Sequence, residues 1–452
     1  MNFLEDLKVC LMNDSFPPLI DGVANTVMNY AKVINENSEK AVVAVPFYPG
    51  ADDSGFSYKI IRYPSLNTEK FIDYRAGFPF SYETFEKIKA ENINIIHTHC
   101  PFVSTVLART LREPLDAPII FTYHTKFDVD IERTVGKGYL KRRIIKGIIN
   151  NIEACDEVWV VSEGAGKNLR SLGYKGDYIV MPNGVDIPKG KVPPEEILKI
   201  SEKYFLPEGV PVFLFVGRMA WYKGLDIILE ALEKLKKSGK DFRMIFVGGG
   251  LDMAEVKKYS EELGLSENCI FTGAVRDRNE IRAFYSRADL FLFPSVYDTN
   301  GLVVREAAAC SLPSILIEGS CAAEGITDGE TGFLTENDPE SFYKKLLFLC
   351  ENRDILKKVG ETAMEKIYIS WEDSVKNAAE RYKIVLENYR AGKYKKEDTF
   401  VGDWLETEGE FLNYISKGKD RYSKAAKKLY RKRIKLKKKI IEKSKDIFDS
   451  IL

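Results

Sequence analysis

Residues 293–313 read FPSVYDTNGLVVREAAACSLP, with two carboxylates, Asp298 and Glu306, and seven residues between them. Asn300 and Gly301 read as a turn. The alanine-rich run GLVVREAAAC has no breaker after Gly301, so a helix is expected to start there. The first backbone N–H groups of such a helix have no partner inside it and favour an anion, a phosphate above all. The preceding ADLFLFP (288–294) is a short unbroken apolar run, the pattern of a fully buried strand. The stretch therefore spells a strand, a loop carrying Asp298, a helix N-terminus, and Glu306 about a turn and a half into the helix. An acidic cap and a surface glutamate produce the same letters, so both readings stand on this stretch alone.

The same spelling repeats outward from it. VPVFLFVGRMAWYKGLDIILEALEKLK (210–236) reads as a buried strand, a loop with Arg218 and Lys223, and an amphipathic helix with Leu225, Ile228, Leu229, Leu232 and Leu235 on one face. RMIFVGGG (243–250), NCIFTGAV (268–275) and PSILIEG (313–319) supply further strands. Upstream, KVCLM (8–12), AVVAVPF (41–47), YKIIRY (58–63), INIIHTH (93–99), PIIFTYHT (118–125), EVWVV (157–161) and YIVMPNGVD (178–186) do the same. After the first strand comes a loop with two prolines and Gly22, then a helix from about Ala24 to Asn35. A phosphate-approaching loop and a plain turn both fit that single glycine. Strands alternating with helices predict an α/β protein with a doubly wound parallel sheet in each half. The split falls near residues 186–207, where proline and lysine replace apolar runs, and ligands are expected in the crevice between the halves.

The chain has three histidines. His97 and His99 are two apart on a strand end and point the same way. With no carboxylate or third ligand nearby in sequence, core and loop roles fit them better than a metal pair. His124 ends the buried strand 118–125, at the edge where parallel sheets keep their sites. Asp128 and Asp130 form a two-residue acidic pattern that holds a divalent cation in some transferases, but so short a pattern recurs by chance and is discounted. Seven scattered cysteines, with no CxxC pair, read as reduced thiols of a cytosolic protein.

The 452 residues allow two or three domains with large cores, and 45% apolar with 30% charged residues is an ordinary soluble composition. No stretch approaches the roughly 20 apolar residues of a membrane span, and MNFLEDLK does not read as a signal peptide. The formal net charge of zero hides an asymmetry. Residues 416–452 hold 15 Lys/Arg against 4 Asp/Glu, leaving 52 basic and 63 acidic side chains in residues 1–415.

The ordered set FVGRMAWYKGLD, MIFVGGG, IFTGAV, LFPSVYDTNGLVVREAAACSLPSI and AAEGITDGETGFL resembles the retaining glycosyltransferases of family 4. These have the GT-B architecture of two facing Rossmann-like domains. FPPLIDGVANTV, IIHTHCP, TYHT and VMPNGVD extend the resemblance over about residues 8–390. It implies an N-terminal acceptor-side domain, 1–190, completed by a returning helix, 372–390. A nucleotide-sugar-binding domain, 200–371, and a basic helical extension, 391–452, would follow.

Laid on matching positions, the family's roles give Arg218 and Lys223 to the diphosphate of a nucleotide-sugar donor and Glu306 to the ribose hydroxyls. Asp298 stands where the family usually has Glu, near the donor sugar. Asn300, Gly301 and Leu302 would offer backbone N–H groups to sugar and phosphate. Gly22 would let the first loop approach the phosphate, His124 would sit by the transferred sugar, and Gly273 to Val275 would flank the base. Two cations and a helix N-terminus suit the charge that builds on a leaving diphosphate, without a metal or other cofactor. No carboxylate nucleophile stands out, so the resemblance favours front-face substitution with retention.

The resemblance is nearest in look to bacterial diacylglycerol glucosyltransferases. It implies transfer of a hexose, glucose foremost, from a UDP-sugar in preference to a GDP-sugar, to diacylglycerol, in glycolipid biosynthesis. The same chemistry on a soluble sugar or polysaccharide precursor is the alternative within the class. A non-catalytic nucleotide-sugar or nucleic-acid binder is the alternative outside it. The tail bears on this choice. As a helix, 416–452 would align Tyr422, Ala426, Leu429, Leu436, Ile440, Ile447 and Ile451 on one face among lysines and arginines, which suits an anionic bilayer surface. It lacks the aromatic interleaving of single-strand binders, so no nucleic-acid partner is expected. The protein is accordingly expected in the cytoplasm, peripheral on the inner face of the cell membrane.

Overall fold

The computed structural model describes residues 7–38, 40–68, 75–127, 131–132 and 137–394. The Asp128/Asp130 pair and the 416–452 helix expected from sequence lie outside the described residues. The chain divides into two compact units, one of residues 1–161, 165–181 and 375 onward, the other of residues 162–164 and 182–374.

Among the described residues of the first unit nine strands form: β1 (Val9–Met12), β2 (Ala41–Pro46), β3 (Lys59–Tyr63), β4 (Ser65–Leu66), β5 (Ala76–Gly77), β6 (Ile95–Thr98), β7 (Ile119–Tyr123), β8 (Glu157–Val160) and β9 (Ile179–Val180). Seven make one parallel sheet in the order β3-β2-β1-β6-β7-β8-β9, while β4 and β5 form a small antiparallel pair. The apolar runs seen in sequence are its central strands, and β1, β2, β6 and β7 are buried along their whole length. That is what a sheet covered by helices on both faces requires.

The second unit contains β10 (Val212–Val216), β11 (Arg243–Val247), β12 (Cys269–Gly273), β13 (Leu290–Phe293), β14 (Ser314–Ile317) and β15 (Phe333–Thr335), parallel in the order β12-β11-β10-β13-β14-β15. The helix Leu225–Lys237 buries Leu225, Ile228, Leu229, Leu232 and Leu235, the face marked by its periodicity. Each sheet reverses its strand order once, between β1 and β6 and between β10 and β13. In open α/β sheets the loops at that reversal, past the carboxyl ends of the strands, are where ligands bind.

Two segments differ from the sequence reading. The proline- and lysine-rich stretch expected as a break contains the helix Pro194–Lys203, which starts with proline in its first turn and buries Ile200 in the core of the second unit. The strand expected to run into the Asn-Gly pair within 178–186 is only the two residues of β9. From Val375 onward the helix Trp371–Arg390 belongs to the first unit, where Arg381 Nε donates to Glu157 Oε1 at 2.8 Å. Among the described residues no helix is long and apolar enough to cross a membrane.

Candidate active site

The second unit's site is built from loops that leave the sheet at its reversal. The loop after β10 lies against that after β11: Gly217 N–H donates to Val247 at 3.0 Å and Met219 N–H to Gly249 at 2.9 Å. A Cβ on Gly248 would stand 1.9 Å from the Gly217 carbonyl oxygen, so only glycine admits this approach. The turn Trp221–Lys223 ends in Gly224 at φ +74°, where a Cβ would meet the Pro294 carbonyl oxygen at 2.9 Å. The loop after β10 is thereby pressed onto the loop after β13.

That approach brings Lys223 to Asp298, with Nζ 2.6 Å from Oδ1. The two side chains are only 14% and 22% exposed. Oδ2 of Asp298 is buried and has no hydrogen-bond partner among the described residues. Arg218, by contrast, is exposed. Asn300 is buried, and Gly301 caps the helix Leu302–Ala309, which has neither a side-chain cap nor an acidic residue in its first turn. Its leading N–H groups thus keep their pull on an anion. Gly273 ends β12, and Val275, half-buried, packs on the core beyond it.

Glu306 is 9% exposed on the inner face of that helix. Arg278 Nη2 donates to its Oε1 at 2.7 Å and the Tyr285 hydroxyl to its Oε2 at 2.9 Å. Burial pushes the Glu306 carboxyl above the ordinary range, while Arg278 and Tyr285 pull it back. Arg278 also pairs with Asp186.

In the first unit, Gly22 heads the helix Gly22–Ser38, with open space where a Cβ would stand. The next N–H groups, of Val23 and Ala24, are taken by Asp21 Oδ1 at 2.9 and 2.7 Å. His124, beyond β7, is buried, and its Nε2 lies 2.9 Å from His99 Nδ1. His97 is bonded through Nδ1 to the Tyr382 hydroxyl and through Nε2 to the Thr122 hydroxyl, both at 2.6 Å. Burial holds His124 down to about 3 and His97 and His99 well below their usual range, so all three are neutral. His97 is the core residue expected from sequence. His99 is buried too, but it also engages the one histidine assigned to the site.

Sequence reasoning passed over Asp14, which follows β1. Its Oδ1 accepts from Ser104 N–H at 2.7 Å and from the Tyr63 hydroxyl at 3.1 Å, and burial pushes its carboxyl up to about 6. No short motif flags this residue; its place two residues past the end of β1 is the signal that would have. Among the described residues no group of three His, Cys, Asp or Glu side chains is placed to hold a metal ion, and all seven cysteines are free.

Residues 20–189 match the family described as Glycosyltransferase Family 4, and residues 196–366 match that described as Glycosyl transferases group 1. The chain belongs to the family 4 glycosyltransferases, with the GT-B fold. This glycosyltransferase is similar to the alpha-monoglucosyldiacylglycerol synthase of Streptococcus pneumoniae, 25% identical over 406 residues that cover 87% of this chain and 89% of the relative. It is also similar to the GDP-mannose-dependent alpha-mannosyltransferase of Corynebacterium glutamicum, 26% identical over 351 residues, 74% of this chain and 78% of the relative. Among solved structures, sucrose-phosphate synthase from Thermosynechococcus elongatus superposes with a TM-score of 0.69 at 20% identity, covering 84% of this glycosyltransferase and 99% of that chain.

Proposed function

We propose that this glycosyltransferase moves a hexose, glucose foremost, from a nucleoside-diphosphate sugar to a lipid acceptor, diacylglycerol foremost, with retention at the anomeric carbon. What carries the reading is the gathering of Lys223, Asp298 and the uncapped N-terminus of the helix Leu302–Ala309 on the loops after β10 and β13. A cation and aligned N–H groups suit a leaving diphosphate, and Arg218 adds an exposed second charge from the same loop. Asp298 takes hydroxyls of the donor sugar, and Glu306 those of the ribose. In the transfer, the bond from the anomeric carbon to the diphosphate oxygen breaks. The acceptor oxygen bonds to that carbon on the same face, and its proton passes to the leaving phosphate. No metal is required in this scheme, because protein cations balance the charge.

The pneumococcal relative's name supports diacylglycerol and glucose. The UDP-sugar rests on the resemblance to diacylglycerol glucosyltransferases, and the corynebacterial relative's name keeps a GDP-sugar as the competing donor. The basic amphipathic pattern of residues 416–452 supports binding to an anionic membrane surface, where each engaged Lys or Arg contributes about 1 kcal/mol. The enzyme would then act in the cytoplasm, peripheral on the inner face of the cell membrane. The test is a screen of UDP- and GDP-sugars for hydrolysis or transfer, with and without vesicles containing diacylglycerol. Turnover of a UDP-hexose, stimulated by the vesicles, is expected. Turnover only on soluble sugar acceptors would overturn the lipid reading, and inertness toward every donor would overturn the enzymatic one.

A further inference from the structure

Arg278 stands in no motif of the family pattern, yet one of its nitrogens, Nη2, bonds to two carboxylates, those of Glu306 and Asp186. The three differ in depth. Arg278 and Asp186 have side chains 45% and 48% exposed, whereas that of Glu306 is 11% exposed. A carboxylate so deep stays ionised only when a cation and hydrogen bonds compensate its lost hydration. Arg278 is the cation that does this, and Asp186, on the segment after β9, anchors it from the outer side.

The stoichiometry of the contacts matters. An ionised carboxylate has about four lone-pair positions, two on each oxygen. Arg278 fills one on Oε1 and the Tyr285 hydroxyl one on Oε2. One acceptor position therefore remains on each oxygen, a spacing suited to two neighbouring hydroxyls. Protonation of Glu306 would turn one of those acceptors into a donor and spoil the match.

We propose that Arg278, braced by Asp186, is a positioning residue for nucleotide recognition: with Tyr285 it fixes Glu306 as an ionised, two-pronged acceptor for a vicinal diol. In a nucleoside diphosphate that diol is the ribose 2′- and 3′-hydroxyl pair. The inference rests on the reading of Glu306 as the ribose contact and adds the residues that make the contact selective.

The test uses the full chain and four probes: UDP, GDP and the 2′,3′-dideoxy analogue of each, titrated calorimetrically. The readout is the affinity ratio of each nucleotide to its own analogue, which cancels any general weakening of the site. In the wild-type protein the nucleotide that binds is expected to bind about tenfold to hundredfold tighter than its analogue, the worth of hydrogen bonds to a charged group. Glu306→Gln should cut that ratio to a few-fold at most. Arg278→Gln should fall to the same low ratio although Glu306 is intact, Arg278→Lys should recover part of it, and Asp186→Asn should lie between.

A wild-type ratio near one would overturn the ribose reading and the inference with it, and so would binding of neither nucleotide. A high wild-type ratio retained in Arg278→Gln would overturn the inference alone. Should Arg278→Gln fail to fold, Asp186→Asn carries the same decision, because an unchanged ratio there removes the brace from the account.

Discussion

Lys223 Nζ lies 2.6 Å from Asp298 Oδ1, so two residues with separate sequence-level roles form one partly buried ion pair. The pair holds its own geometry before any ligand arrives. The lysine charge proposed to face a leaving diphosphate is the same charge that orients Asp298. Removing either side chain therefore strands the other, and strands Asp298 more severely because its Oδ2 has no hydrogen-bond partner among the described residues.

A double-mutant cycle measures this coupling. Lys223→Ala is expected to lower turnover by roughly a hundredfold, or about 3 kcal/mol of transition-state stabilisation. It should also destabilise the fold by about 2 kcal/mol, since it leaves a partly buried carboxylate unpaired. Asp298→Ala in the Lys223→Ala background should restore part of that stability without restoring turnover. Additive stability losses in urea denaturation would show that the pair is not coupled.

Arg218 differs from Lys223 in exposure, and the two substitutions should differ accordingly. Arg218→Ala is expected to cost a similar hundredfold in turnover but to shift stability by no more than about 0.5 kcal/mol, as for an ordinary surface change. Paired melting and kinetic measurements check both halves. Near-normal turnover would remove Arg218 from the diphosphate site.

The buried histidines set an acid limit on stability. Unfolded histidines take up a proton near pH 6.5, whereas His124 in the fold is held down to about 3 and His97 and His99 well below their usual range. The unfolded chain therefore binds more protons as pH falls through 6.5, and stability drops. Asp14, pushed up to about 6, works in the opposite sense between about pH 4 and 6 and offsets part of the loss. The net expectation is a loss of roughly 2 kcal/mol between pH 6.5 and 5.5. Urea denaturation at the two pH values measures it, and equal stabilities would mean that the histidines titrate normally in the fold.

Much of the architecture was legible because a doubly covered parallel sheet demands unbroken apolar runs, and VFLFV, RMIFV and LFLF are such runs. The three-residue β15, FLT, is too short and mixed to stand out. Of the candidate site, the helix that starts after Gly301 and carries Glu306 was legible, because one turn sets it. The site was not legible where partners meet across the sequence. Lys223 and Asp298 are 75 residues apart, His99 and His124 are 25 apart, and Arg278 and Glu306 are 28 apart. Each pair is made by neighbouring strands or a packed helix, and nothing in the local pattern of either partner announces the other. The helix Pro194–Lys203 was hidden for another reason: it buries little, so its composition resembles a linker.

The basic tail has its own test. Vesicle sedimentation of the full chain is expected to show binding to anionic lipid that weakens with salt, since exposed charges are screened over about 8–10 Å at physiological ionic strength. A chain ending at Arg390 should bind markedly less. Equal binding by both would remove residues 416–452 from membrane attachment.

The most direct measurement of the central claim is the product itself. The full chain would be incubated with UDP-glucose and vesicles containing diacylglycerol and anionic lipid, with excess EDTA in one sample, and the lipid fraction analysed by mass spectrometry and proton NMR. The expected result is a glucosylated diacylglycerol with the donor's own α-configuration at the anomeric carbon, formed equally with and without EDTA. A β-linked product, or a product formed only when magnesium or manganese is restored, would contradict the proposed metal-free, retaining transfer.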